Sequence, residues 1–313
     1  MPPVTGIHHV TAICGDVQAN LDFYTGVLGL RLVKVAVNFD DPTTYHTYFG
    51  DGLGRPGTLI TFFPYPDSYK GRAGSGSVIA TGYAVPPGSL RWWIDRLAEM
   101  AVHFDGPHRR GDEEFVTLRD PDGIDIEIVA SPTCPRPEPW TKMPVPAENA
   151  IGCIHGVTLC EEASEFTIDF LVDALGFREA EGFAEEQRRF ESGVGGSGTL
   201  VDVVCRPDAP HGRGGQGSVH HVAFRTPQEE SQAHIHADIR ARGINVSPVM
   251  NRNYFKSIYF REPGGVLFEV ATDGPGMTID ETPELLGSSL RLPEQYEPLR
   301  EKIEAVLPAL RRP

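Results

Sequence analysis

The motif His-His-Val occurs twice in this chain, as Gly6-Ile7-His8-His9-Val10 and as Gly217-Ser218-Val219-His220-His221-Val222. A carboxylate, Glu269, follows the second copy inside the apolar run Val266-Leu267-Phe268-Glu269-Val270-Ala271. Two imidazoles and one carboxylate are the ligand set of a non-haem Fe(II) site, and three ligands on one face of the ion leave positions open for a substrate and O2. A charge amid strand-forming apolar residues also needs a partner or a metal to offset its desolvation. A lone histidine on a strand is more often a hydrogen-bonded core or surface residue than a ligand, so the weight rests on the doubling.

The elements that must position these residues are repeats. Ile7-His8-His9-Val10-Thr11 matches Ile154-His155-Gly156-Val157-Thr158, and at the same offset Asp22 to Leu30 matches Asp169 to Phe177. Gly76-Ser77-Val78 matches Gly217-Ser218-Val219, and Arg119 to Glu127 matches Arg261 to Glu269 with one residue of slippage. The chain therefore holds four related units, each reading as a β-branched strand, a helix and three further strand-like runs separated by turn residues. In the first unit Asp16 is the expected N-cap, Val17, Leu21, Tyr24 and Leu28 recur at helical spacing, and Gly29 closes the helix. In the fourth, Thr226-Pro227 is expected to open the helix, and Ser257-Ile258-Tyr259-Phe260 is expected to form a hairpin with Val266 to Val270 through Pro263-Gly264-Gly265. The expected fold class is α+β, with tandem βαβββ modules. Residues 1–131 form an N-terminal pair of units, 132–146 a proline-rich linker, 147–273 a C-terminal pair, and 274–313 a tail with one helical stretch, Pro293 to Leu307.

The repeat also tests the ligand set. At the position of His9 the four units carry His9, Ala80, Gly156 and His221, and at that of Glu269 they carry Thr61, Glu127, Asp202 and Glu269. Pairing units within each half brings no two histidines together. Pairing the first unit with the fourth brings His9, His221 and Glu269 together, a single metal site built from the two ends of the chain. Glu127 and Asp202, without histidines, are expected to be ion-paired or solvated.

Length and charge limit what such a site serves. With 313 residues the chain has room for about two domains and a sizeable core. A formal net charge of −15 argues against sequence-independent binding to nucleic acid or anionic lipid, so a small molecule is the expected partner. No apolar run reaches bilayer-spanning length, and Met1-Pro2-Pro3-Val4 lacks the pattern of a signal peptide, which predicts a cytoplasmic address. The five cysteines include no Cys-x-x-Cys pair and are expected to be reduced.

The four units, the doubled His-His-Val and the closing Pro263 to Val270 together resemble the vicinal oxygen chelate (glyoxalase/bleomycin-resistance/extradiol dioxygenase) superfamily. Gly29 to Lys34, Val37 to Pro42, Thr44-Tyr45-His46 and Tyr254 to Phe260 resemble its branch of hydroquinone-type ring-cleaving dioxygenases. That resemblance implies two open β-barrel-like domains and the ligands His9, His221 and Glu269. It also implies Fe(II), with Mn(II) or another divalent ion as the substitute. It places an arginine and a tyrosine beside the metal, at Arg252 and Tyr259. An ideal strand would turn His8 and His220 away from the ligands, whereas the resemblance keeps them near, with His220 as a candidate for proton transfer. His155, His234 and His236 are expected to be structural. The implied partners are a small aromatic diol and O2, with a homo-oligomer compatible with the chain. The alternatives are a glyoxalase-like isomerase or thiol transferase, which would use a fourth ligand where Thr61 stands, and a metal-free protein that sequesters a drug or quinone.

Overall fold

A computed structural model of the protein describes residues 4–138, 140, 142–184 and 186–312. The first unit runs β1 (Ile7–Cys14), α1 (Val17–Asp22), a single π turn (Phe23–Val27), β2 (Arg31–Val37), β3 (Tyr45–Gly50) and β4 (Leu59–Pro64). Asp16 caps α1 as expected, accepting from the backbone N–H groups of Gln18 and Ala19 at 2.8 Å each. Gly29 ends the helical segment with φ of +72°, and a side chain there would collide with Val145. The second unit is β5 (Ser77–Val85), α2 (Leu90–Glu99), β6 (Phe104–Arg110), β7 (Glu113–Arg119) and β8 (Asp125–Ala130). The third is β9 (Cys153–Glu161), α3 (Glu165–Asp173), β10 (Arg178–Glu179), β11 (Gln187–Glu191) and β12 (Leu200–Cys205). The fourth is β13 (Ser218–Thr226), α4 (Glu229–Ala241), β14 (Met250–Asn251), β15 (Lys256–Arg261) and β16 (Leu267–Thr272).

The helix of the fourth unit starts later than Thr226-Pro227 predicts. Thr226 pairs with Thr272 in the parallel ladder between β13 and β16, which keeps it extended, and α4 opens at Glu229 after Gln228. The predicted hairpin is present, with β15 antiparallel to β16.

Two sheets result, and each joins units from different halves of the sequence. The larger has the order β14-β15-β16-β13-β1-β4-β3-β2-β17, where β17 is Leu290–Arg291 of the tail, and the smaller has the order β10-β11-β12-β9-β5-β8-β7-β6. The first unit thus pairs with the fourth through β1 and β13, and the second with the third through β5 and β9. The division at residues 132–146 is one of sequence, and each sheet takes a unit from either side of it. Within that segment Pro139 and Thr141 lie outside the described residues. The tail continues through a 3-10 turn (Glu294–Leu299) into α5 (Arg300–Val306). Buried Lys34 fastens it to the first unit, with Nζ 2.6 Å from both Asp280 and Glu281.

The larger hydrophobic core draws on both sheets and on the helices, including Val10, Val222, Phe224, Phe268 and Val270 from the larger sheet, Leu159, Val201 and Ile128 from the smaller, and Trp93 and Leu171 from α2 and α3. Phe268 and Val270 are fully buried in it, each worth about 1.5–3 kcal/mol. Their alternation sends Glu269 to the opposite face, and a slip of one residue would reverse all three. No helix among the described residues is long and apolar enough to cross a membrane, and the cysteines are unpaired.

Candidate metal centre

Each unit presents its site position in the same register. Inside the four units, Thr61 pairs with Thr11, Glu127 with Gly82, Asp202 with Thr158 and Glu269 with Ala223. Each partner lies two residues beyond the position of His9, Ala80, Gly156 or His221, so the equivalence read from the sequence is one of space as well.

A β-bulge adds a second residue to each position. Between β1 and β13, His8 is left without a partner where Ile7 pairs Phe224 and His9 pairs Ala223, and His220 is passed over where His221 pairs Thr11 and Val219 pairs Ala12. Ile79 and His155 are passed over in the same way between β5 and β9. A bulge brings two successive side chains to one side of the strand. This corrects the ideal-strand expectation that His8 and His220 face away and agrees with the nearness that the resemblance implied: His8 Nδ1 lies 2.9 Å from His9 Nδ1, and His220 Nδ1 lies 2.7 Å from His221 Nδ1.

His9, His221 and Glu269, all buried, come together from three strands, and among the described residues they form the group of His, Cys, Asp and Glu able to hold an ion. The two Nε2 atoms are 3.4 Å apart, and Glu269 Oε2 is 3.3 Å from that of His9 and 2.9 Å from that of His221. Ligands at right angles around a first-row ion, with bonds of about 2.1 Å, stand about 3 Å apart, so the triangle fits. Glu269 Oε2 is also a buried oxygen with no hydrogen bond of good geometry, although both rings are close. A group that two donors approach without bonding is in the position of a metal ligand rather than of a satisfied ion pair. Its other oxygen accepts from Ser257 Oγ at 2.5 Å.

The electrostatics agree with a ligand set. Burial alone would raise the pKa of Glu269, but the His9 and His221 imidazoles outweigh it and hold the carboxyl well below the usual range. Burial keeps the pKa of His221 below the ordinary value, and that of His8 well below it. Burial, with His221 beside it, lowers that of His220.

A cavity of about 410 Å³ opens beside the trio, and Tyr259, Arg252 and His220 line it together with His9 and His221. Tyr259 faces Glu269 directly across β15 and β16. Its hydroxyl accepts from Arg252 Nε at 3.2 Å, and burial raises its pKa, so it stays protonated. The Arg252 guanidinium lies over the rings of Phe39 and Tyr259 and is 3.6 Å from Asp40 at the cavity wall. Arg252 is thus no solvated surface residue.

The sequence reading gave no role to four neighbours of the trio, quoting Ser257, Phe255 and His46 only within longer motifs and passing over Tyr48. For Tyr48 the signal was the repeat itself, since it faces Thr61 as Tyr259 faces Glu269. His155 stands in the smaller sheet, with Nε2 2.8 Å from Glu113, while His234 and His236 lie on α4.

The equivalent place in the smaller sheet is filled by arginine. Arg110 binds Glu127 through two nitrogens at 3.1 and 2.7 Å, and Arg189 binds Asp202 at 2.6 and 2.9 Å. A void of only about 10 Å³ remains. Glu127 and Asp202 are ion-paired, as expected without histidines.

The sequence profile of the Glyoxalase/Bleomycin resistance protein/Dioxygenase superfamily matches residues 6–128 and 154–270. A Bacillus subtilis protein named "Putative ring-cleaving dioxygenase MhqO" is 45% identical over 299 residues, covering 96% of this chain and 94% of its own. The chlorohydroquinone/hydroquinone 1,2-dioxygenase of Sphingobium indicum is 35% identical over 306 residues, covering 96% and 95%. Among solved structures, one described as a "putative dioxygenase" from Bacillus subtilis superposes with a TM-score of 0.93 at 43% identity, covering 99% of both chains. Glyoxalase I from Zea mays, with a TM-score of 0.63 at 16% identity over 86% of this chain and 92% of its own, shares the fold.

Proposed function

The chain belongs to the glyoxalase/bleomycin resistance protein/dioxygenase superfamily, and within it we propose an Fe(II)-dependent, extradiol-type ring-cleaving dioxygenase that inserts both atoms of O2 into a hydroquinone- or catechol-type diol. The observation that carries this reading is the triangle of His9, His221 and Glu269, whose two histidines line a cavity large enough for one aromatic ring. Its likeness to ring-cleaving dioxygenases along nearly the whole chain supports the choice of reaction.

When bound, the metal supplies Lewis acidity and a template for diol and O2. The protein's own groups do the rest. With Nε2 of His9 and His221 given to the metal, their Nδ1–H groups donate to His8 and His220, which sets the tautomers and the ring orientations. Ser257 fixes the carboxylate rotamer of Glu269. Arg252 occupies a lone pair of the Tyr259 oxygen, which leaves the tyrosine proton free to be donated into the cavity. These two groups are placed to hold a phenolate or an oxygen that gains negative charge during the reaction. His220 lines the cavity and, with its Nδ1 accepting from His221, carries its proton on Nε2, so its part in proton transfer is to donate toward an oxygen in the cavity.

A glyoxalase-like isomerase would need a further ligand from the first unit. Thr61 stands at that position and is bonded to Thr11 at 2.8 Å and to His46 at 2.9 Å. Elemental analysis of protein purified without oxygen tests the reading, which predicts about one iron per chain. Zinc or nickel with full activity would favour the isomerase, and a fully active protein with no metal would favour sequestration.

A further inference from the structure

The face of the larger sheet that carries Glu269 is covered by the tail of the chain. Ala223, paired with Glu269, and Ala271, two residues beyond it, lie on that face. They pack with Tyr48, Tyr254 and Phe255, and with Met277 and Leu286 of the tail, in a second, smaller hydrophobic core. Tyr48 and Phe255 also line the cavity, so the tail and the candidate metal centre share a wall.

A buried ion cluster ties the tail to that wall. Lys34 is fully buried, with Nζ 2.6 Å from both Asp280 Oδ1 and Glu281 Oε2 and 4.9 Å from the centre of the Tyr254 ring. A buried ammonium needs a carboxylate partner, and Glu281, itself buried and held by Ser289 Oγ at 3.1 Å, supplies one. Asp280 is therefore a second carboxylate that the charge of Lys34 does not require. What it adds is a bond to Tyr254, whose hydroxyl donates to Asp280 Oδ2 at 3.1 Å. Burial, with Asp280 beside it, raises the Tyr254 pKa, so this hydroxyl keeps its proton and is the donor.

Tyr254 sits in a tight segment between β14 and β15. Its N–H donates to the Arg252 carbonyl at 2.8 Å, the Arg252 N–H donates to the Phe255 carbonyl at 2.9 Å, and the Gly276 N–H of the tail donates to the Tyr254 carbonyl at 2.8 Å. Residues 252–255 are thus bound to one another and to the tail. At their two ends they hold Arg252 on Tyr259 and the Phe255 ring against the first histidine pair, with centroids 4.8 Å from His8 and 5.1 Å from His9.

We propose that Asp280, clamped by Lys34, is a positioning residue of the metal centre: through the Tyr254 hydroxyl it fixes Phe255 against His8 and His9 and so holds the His9 ring in place to bind the ion. The inference rests on the metal centre of the dioxygenase reading. The ring of His221 meets Tyr259 rather than Phe255, so the two ligand histidines should respond differently when the clamp is cut.

The test compares Tyr254→Phe, which removes one hydroxyl and keeps the ring over Lys34, with Asp280→Ala, which removes a side chain 32% exposed and leaves Lys34 paired with Glu281. Both, and the double variant, are made in the full chain and loaded with Zn(II), whose closed shell permits nuclear magnetic resonance of the imidazole N–H protons. Competition with a chelator should show zinc affinity lowered about two- to thirtyfold in either single variant, and hardly more in the double, because the two residues act through one bond. The Nδ1–H resonance of His9 should move in all three, and that of His221 should stay. An unchanged zinc affinity in Tyr254→Phe, losses that add in the double variant, or equal movement of the two resonances overturns the proposal and leaves the dioxygenase reading standing. If the unmodified protein takes up neither zinc nor iron, the metal centre fails and this inference with it.

Discussion

Replacing Tyr259 by phenylalanine removes a single oxygen and should separate chemistry from folding and from metal binding. The hydroxyl is buried beside Glu269, and its ring meets that of His221 edge to face at 5.7 Å, a contact that phenylalanine keeps. In the resting protein the oxygen accepts one bond from Arg252 Nε, and 3.2 Å is at the long end of the N–H···O range. Its loss should cost about 1 kcal/mol of stability, or about 2 °C in Tm. During turnover the demand is greater, because a neutral, buried hydroxyl backed by a guanidinium donates to an oxygen that is gaining charge. Losing such a donor costs about 1.4–4 kcal/mol, a fall of about ten- to a thousandfold in kcat. The assay is oxygen uptake with hydroquinone at saturating and limiting concentrations, with iron content and Tm measured on the same preparation. The expected result is a large fall in kcat with KM, iron and Tm nearly unchanged. A kcat within about twofold of the unmodified protein would show that Tyr259 is a packed strand residue and that Arg252 acts without it.

His9→Ala and His221→Ala should each abolish iron retention and leave the fold intact, measured by elemental analysis and circular dichroism, whereas His155→Ala should keep its iron because its ring serves the Glu113 cluster of the other sheet. Ser257→Ala removes the bond that sets the Glu269 rotamer and should weaken metal affinity about 10–100-fold without abolishing it, measured by competition with a chelator. Glu161 tests the fold away from the site: burial, with Glu262 beside it, pushes its carboxyl up to about 8 from 4.5. The native state then keeps a proton that the unfolded chain releases, so stability should fall as pH rises from 4.5 to about 8 and level off above that. Glu161→Gln should lose this part of the pH dependence and gain on the unmodified protein at about pH 9 relative to about pH 6 in urea unfolding.

What was legible in the sequence follows from the repeat. Once four units are aligned, one register serves all of them, so the absence of histidine at Ala80 and Gly156 was enough to pair the first unit with the fourth. The setting of Glu269 in an apolar run then marked it as a charge in need of a partner or a metal. The bulges were not legible, because an extra residue in one strand is visible only against the partner it skips. That is why strand alternation alone turned His8 and His220 away and only the resemblance kept them near, as both are, back against the ligands. The helix start at Glu229 was hidden for a related reason, since a ladder partner, Thr272, overrides the local preference of Thr226-Pro227. His46 and Tyr48 were quoted or passed over without a role because the cavity they line is shared with residues of β13 and β15, which no local pattern links to β3. The arginines that fill the second site come from strands that no local pattern links to Glu127 and Asp202.

The measurement that bears most directly on the central claim is the fate of isotopically labelled dioxygen. Protein loaded with Fe(II) without oxygen, then given hydroquinone and labelled O2, should consume about one O2 per ring opened and place both labelled atoms in the ring-opened product, and His221→Ala should do neither. A product that carries no label, or equal turnover with zinc in place of iron, would contradict the account.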